Sequence, residues 1–186
     1  MSDMSQLRID DRGVAWLTLT RPEVHNAFDD ALIGELNAHL DQVRQATDSG
    51  KVRVLVLGSE GKSFSAGADL NWMKRMVDYS VDDNLADSRE LSRLMHGLDS
   101  LPCVTVCRVQ GAAFGGGVGL VACCDMALAT ARASFCLSEV KLGLTPATIS
   151  PYVVRAMGAR ACRRYFQSAE RFTASTAMTL GLLSDV

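Results

Sequence analysis

The spacing of apolar residues changes along the chain, and each change marks a predicted element. In "LRIDDRGVAWLTLT" two stretches rich in strand formers flank the polar turn Asp11-Arg12-Gly13, which predicts a β-hairpin. Pro22 in "RPEVHNAF" then breaks regular structure. Leu32, Ile33, Leu36, Leu40 and Val43 recur at helical spacing, so a helix capped by Asp29 or Asp30 should run to about Thr47. "VRVLVLG" and "CVTVCRV" are nearly continuous apolar runs, the pattern of strands covered on both faces. Between them, helix is predicted from about Leu70 to Asp99, interrupted near Tyr79 to Asp82. Further on come the strand "MALAT", an extended piece at "ASFC", and helix from Thr148 broken near Gly158 and Phe172. Strands alternating with helices predict α/β layers.

Composition narrows the classes. The chain has 186 residues, 48% of them hydrophobic, enough for one core and a single expected domain spanning residues 1–186. Its formal charge of −2 offers no basic field for nucleic acid. "ARACRR" is the only basic cluster, and it reads as the polar side of a helix. No apolar run approaches a membrane span, and "MSDMSQLRID" lacks the apolar region of a secretory signal, so a cytoplasmic protein is expected. The six cysteines form no C-x-x-C pair, and the three histidines lie far apart. Buried, reduced thiols are therefore expected, and no metal site.

Two glycine-containing loops carry the candidate chemistry. "SFSAGADL" follows one predicted buried strand and opens a helix, and "GAAFGGGVGL" repeats that arrangement after another. Small residues at a helix start leave backbone N–H groups uncovered, able to bind an anion or a developing negative charge. Phosphate cradles fail on spacing. "GKS" at 61–63 lacks a glycine at position 56, and Leu120 fills the third glycine position of a dinucleotide fingerprint. Two matching loops could each supply one N–H to a single oxygen.

The segments "RPEVHNAF", "FSAGADLNWM", "GAAFGGGVGLVACCDMALA" and "FCLSEVKLGLTPA" resemble, in that order, the enoyl-CoA hydratase/isomerase (crotonase) superfamily. The likeness runs from about Leu7 to Val186 and is nearest to the bacterial methylglutaconyl-CoA and carboxygeranyl-CoA hydratase subgroup. It implies a spiral of ββα units, two stacked sheets wrapped by helices, and a homotrimer or dimer of trimers. It implies an acyl-CoA thioester as substrate, so that coenzyme A arrives with the substrate and no separate cofactor is needed. By the same resemblance, the N–H groups of Ala68 and Gly116 would hold the thioester oxygen. Glu23, Val24, His25 and Ala27 would border the coenzyme A on one side, and Ala66, Asp69 and Leu70 on the other. Glu23 departs from the pattern, because the family often carries a basic residue there.

Hydratases of this superfamily commonly use two glutamates. Here Glu139 occupies one position, and Gly119 stands at the other. Glu139, flanked by apolar residues, is the expected acid/base, and a glutamate introduced at 119 is expected to restore a two-carboxylate site. The reading is an enoyl-CoA hydratase acting on a short or branched substrate such as a methylglutaconyl-CoA-like thioester. The alternatives are a single-glutamate isomerase and an inactive, truncated acyl-CoA-binding subunit. The end at "LGLLSDV" suggests that the family's C-terminal helical region is absent, leaving Leu180, Leu182 and Leu183 expected to be uncovered. Trp72, Met73 and Met76 are expected to set tunnel depth.

Overall fold

The computed structural model describes residues 4–186. The predicted hairpin forms from β1 (Ser5–Ile9) and β2 (Val14–Leu19), paired antiparallel. Asp10 holds its turn by accepting from the Arg12 and Val14 N–H groups. α1 (Asp30–Asp48) starts where Asp29 accepts from the Leu32 N–H at 2.8 Å, and its five periodic apolar residues are all buried. β3 (Val54–Ser59) pairs parallel with β2. α2 (Leu70–Met76) and α3 (Val81–Asp99) replace the interrupted helix, and a Ser80/Asp83 capping box starts the second.

β4 (Val104–Val109) joins β3 in parallel, and β6 (Met126–Ala129) closes the first sheet, whose order is β1-β2-β3-β4-β6. Three short strands form a second sheet in the order β5-β7-β8: Ala112–Phe114, Ser134–Cys136 and Phe172–Thr173. The chain passes from the first sheet to the second between β4 and β5, and α4 (Gly116–Cys123) follows at once. α5 (Ser150–Met157), α6 (Ala159–Ser168) and α7 (Ala174–Thr179) complete the layers. The result is the α/β architecture of two sheets wrapped by helices. The six cysteines are free thiols, four of them buried, and burial pushes the Cys107 and Cys123 thiols upward.

Two expectations are corrected. β3 and β4 are covered on one face only within the chain. Leu55, Leu57, Thr105, Cys107 and Val109 point into the core, whereas Val56 and Val106 are half-buried and Val104 is 44% exposed. Continuous apolarity therefore marks an apolar open face here, not a second covering layer. The residues near the C-terminal end are also not bare. Leu182 and Leu183 are buried, because Ser184 N–H donates to the Ala127 carbonyl and Ala129 N–H to that of Asp185, which draws this segment onto β6.

The loop before α1 is fixed by one buried amide. Asn26 is fully buried; its Nδ2 donates to the Glu60 and Ser63 carbonyls at 2.9 and 3.0 Å, and its Oδ1 accepts from the Arg21 N–H at 2.9 Å. Its backbone is left-handed, with φ of 53°, a region asparagine tolerates better than alanine. Replacing it strands the Arg21 N–H and the Glu60 carbonyl, whereas the Ser63 carbonyl still accepts from Gln110 Nε2 and Ser59 Oγ. Asn26→Ala should therefore cost about 2 kcal/mol or more, read as an earlier midpoint in urea unfolding; an unchanged midpoint would remove this amide from the account.

Candidate active site

A short backbone ladder brings the predicted loops together. Ala66 N–H donates to the His25 carbonyl at 2.9 Å, Phe28 N–H to that of Gly67 at 2.7 Å, and Asp69 N–H to that of Phe28 at 2.7 Å. Phe28 thus spends both backbone groups on the neighbours of Ala68. In such a parallel bridge the middle residue's own N–H points away, and Ala68 N–H finds no protein acceptor among the described residues.

The second loop supplies a matching donor. Gly116 is the first residue of α4, and its N–H also has no acceptor among the described residues. Two glycines allow the loops to meet. Gly67 has φ of 85°, and a methyl group there would lie 2.8 Å from the Phe114 carbonyl oxygen. Gly115 has φ of 49°, and a methyl group there would lie 3.2 Å from Glu139 Oε1. Bare backbone at 115 thus makes room for the carboxylate as well as for the turn.

Glu139 opens the short 3-10 turn Glu139–Leu142 that follows β7. Its Oε2 is buried without a hydrogen-bond partner. Burial pushes its carboxyl above the ordinary value of 4.5, opposed only by its own backbone N–H. Ala68, Gly116 and Glu139 all line one cavity of about 210 Å³. Phe28, Leu70, Trp72, Met73, Leu91 and the run from Leu144 to Ile149 also line it. No lysine, arginine or histidine lines it; Lys74 and Lys141 are exposed on the elements that frame it. Among the described residues no metal-binding cluster occurs.

The remaining predicted residues divide. Ala66 and Leu70 line the cavity, but Glu23, Val24, His25, Ala27 and Asp69 do not. Glu23 and His25 are exposed on the strip beside it, where His25 Nδ1 lies 3.1 Å from Ser63 Oγ. Ala27 is buried. Asp69 spends its carboxylate on capping α2, accepting from the Asn71 and Trp72 N–H groups at 2.7 and 3.2 Å. Of the residues expected to set depth, Trp72 and Met73 face the cavity, and Met76 packs against the core instead.

Position 119 overturns an expectation. A methyl group on Gly119 would lie 2.4 Å from Ile149 Cγ2 and 2.9 Å from its Cβ, far inside carbon–carbon contact. A glutamate there cannot enter the site while Ile149 stays, so a single substitution does not restore a second carboxylate. Ile149 and the wall from Leu144 to Thr148 were missed by sequence reasoning. Their only signal was the "LTPATIS" stretch, which has no titratable group to draw notice.

Comparison with known proteins matches this geometry to a family. The description "Enoyl-CoA hydratase/isomerase" matches residues 10–186. An enoyl-CoA hydratase of Alternaria alternata is 37% identical over 174 residues, covering 94% of this chain and 55% of that relative. The chain thus spans about half the length of that protein. The 2,3-dehydroadipyl-CoA hydratase of Escherichia coli is 34% identical over 98% of this chain and 69% of its own length. The crystal structure of an enoyl-CoA hydratase from Shewanella pealeana is 50% identical, with a TM-score of 0.94 over 98% of this chain and 68% of that one. With a family match over nearly its whole length, and with two free N–H groups and the half-buried Glu139 on one cavity, the chain belongs to the enoyl-CoA hydratase/isomerase family.

Proposed function

We propose that the protein adds water to a short or branched α,β-unsaturated acyl-CoA thioester, with Glu139 as the acid/base. The observation that carries this reading is the unpartnered, buried Oε2 of Glu139 in a cavity that also holds two free backbone N–H groups. Glu139 takes a proton from water as the water oxygen bonds to the β-carbon. The electron pair of the double bond moves onto the thioester oxygen, where the Ala68 and Gly116 N–H groups stabilise the enolate. The N-terminal end of α4 adds its positive pole. Glu139 then returns the proton to the α-carbon, so one carboxylate completes the addition.

Coenzyme A would run along the strip of Glu23, Val24, His25 and Ala27 and pass Ala66, Asp69 and Leu70 into the cavity. A methylglutaconyl-CoA-like substrate is the finer form of the proposal, and its free carboxylate would have to reach Lys74 or Lys141, because the cavity wall carries no cation. Trimeric assembly belongs to the same proposal, and light scattering measures it.

A second reading is double-bond migration, favoured by the packing of Ile149 over Gly119, which leaves a single carboxylate. Glu139 would then remove a proton from the α-carbon of a β,γ-unsaturated thioester and deliver it to the γ-carbon. Assays with crotonyl-CoA, methylglutaconyl-CoA and a 3-enoyl-CoA separate the readings. Hydration consumes the conjugated absorbance of the first two, and migration creates it from the third. Turnover of none of them contradicts both.

Glu139→Gln should lower kcat about 10²- to 10⁴-fold with little change in thioester affinity. Because the raised pKa must be passed before the base ionises, kcat/KM of the wild type should rise with pH through a limb above 4.5. Steady-state kinetics from acid to neutral pH check both, and an active glutamine variant removes Glu139 from the mechanism.

The same carboxyl affects stability, with a definite sign. Between its unfolded value and its raised folded value, the folded protein holds more protons, so stability falls as pH rises through that window. Glu139→Gln should therefore melt higher than wild type at neutral pH, and the gap should vanish well below 4.5. Thermal unfolding at several pH values reads this; a gap of opposite sign contradicts the burial argument.

Gly116→Pro removes one oxyanion donor and should lower kcat about 10²- to 10³-fold. Gly116→Ala is the control, because it keeps the N–H while adding a methyl group 2.8 Å from the Phe28 ring. The proline variant should be much the worse of the two, and equal losses in both would assign the effect to the ring.

A further inference from the structure

The cavity of about 210 Å³ is small beside ligand pockets of roughly 300–1,000 Å³. Ile149 is 3% exposed, lines the cavity, and lies over Gly119. Its backbone is not free to retreat. As the residue preceding α5, it accepts through its carbonyl from the Tyr152 and Val153 N–H groups at 3.2 and 3.1 Å. Beneath it, α4 is buried from Gly117 to Cys123, so it has no room to recede. Met95 Cε would lie 3.2 Å from a methyl group at 119 and backs the same spot.

We propose that Ile149 is the specificity-determining residue of the acyl cavity: its side chain stands in the space that any side chain at position 119 would need, closes the cavity's inner end, and restricts it to short acyl groups. This rests on the acyl-CoA reading above. Bulk at this end of the cavity can come from position 149 or from position 119, and Ile149 with Gly119 is one solution. Truncating Ile149 lengthens the cavity toward α4. Adding bulk at 119 without truncating Ile149 forces the two helices apart.

Two measurements test it. The first is calorimetric affinity for butyryl-CoA and octanoyl-CoA, which needs no turnover. Ile149→Ala should raise the octanoyl-to-butyryl affinity ratio at least about tenfold, the effect typical of methylene-sized changes in an apolar pocket. Ile149→Val, a milder truncation that keeps the β-branch, should raise it less, and it decides the matter if the alanine variant does not fold. The second is a thermal-stability cycle. Gly119→Ala alone should lower Tm, and the same change should lower it less in an Ile149→Ala background, because the 2.4 Å contact with Cγ2 is then gone while the one with Cβ stays. A folded variant with an unchanged ratio overturns the inference, as does a Gly119→Ala protein with wild-type Tm. Wild-type protein that binds neither thioester overturns the acyl-CoA reading and takes this inference with it; wild-type binding with an unchanged ratio overturns this inference alone.

Discussion

The site depends on how Phe28 is bonded. Its N–H and carbonyl are both spent, at 2.7 Å each, on Gly67 and Asp69. That bridge, with the Ala66 N–H to His25 carbonyl bond, locks residues 25–28 beside 66–69 and turns the Ala68 N–H outward, where no group among the described residues accepts it. An unpaired N–H is normally a cost, and here the fold keeps two of them at one cavity. Asn26 supports the bridge from behind: its side chain holds the Glu60 and Ser63 carbonyls, and its own carbonyl accepts from Ser65 Oγ at 2.9 Å.

The second constraint is the close approach of two glycine turns. Gly67 meets the Phe114 carbonyl, and Gly115 leaves space for the Glu139 carboxyl. Backbone geometry, not a side-chain network, therefore positions the two donors. The carboxylate is treated differently. Its Oε2 is buried without a partner, and burial disfavours its charged form, a local cost in stability of the kind that gathers at functional sites.

Much of this was legible in the sequence. Helical spacing in α1, the Asp29 cap and the Asp11-Arg12-Gly13 turn are local signals, and the structure follows them. The two loops were legible as a repeated strand–loop–helix pattern, and Glu139 through the resemblance of "FCLSEVKLGLTPA" to the family. Whether a sheet face is covered is not local. "VRVLVLG" reads the same whether its second face meets a helix, another chain or water, and Val104 lies open within this chain. Nor is packing across α4 and α5 local. Nothing in "GGGVGL" announces that Ile149, 30 residues later, fills the space over Gly119. An apolar residue offers no chemical signature, and its effect on the site comes only from where the fold sets it. Asp69 shows the converse, a charged residue in a recognised motif whose carboxylate is used in capping α2.

In the proposed function, the Ala68 and Gly116 N–H groups polarise a thioester carbonyl. Difference infrared spectroscopy of crotonyl-CoA carrying a ¹³C-labelled carbonyl, bound to the protein, measures that directly. Two backbone donors held by the fold against one carbonyl oxygen should move its stretch to lower wavenumber than in water. A stretch at or above its position in water would mean that the carbonyl does not lie between these two groups, and would contradict the account.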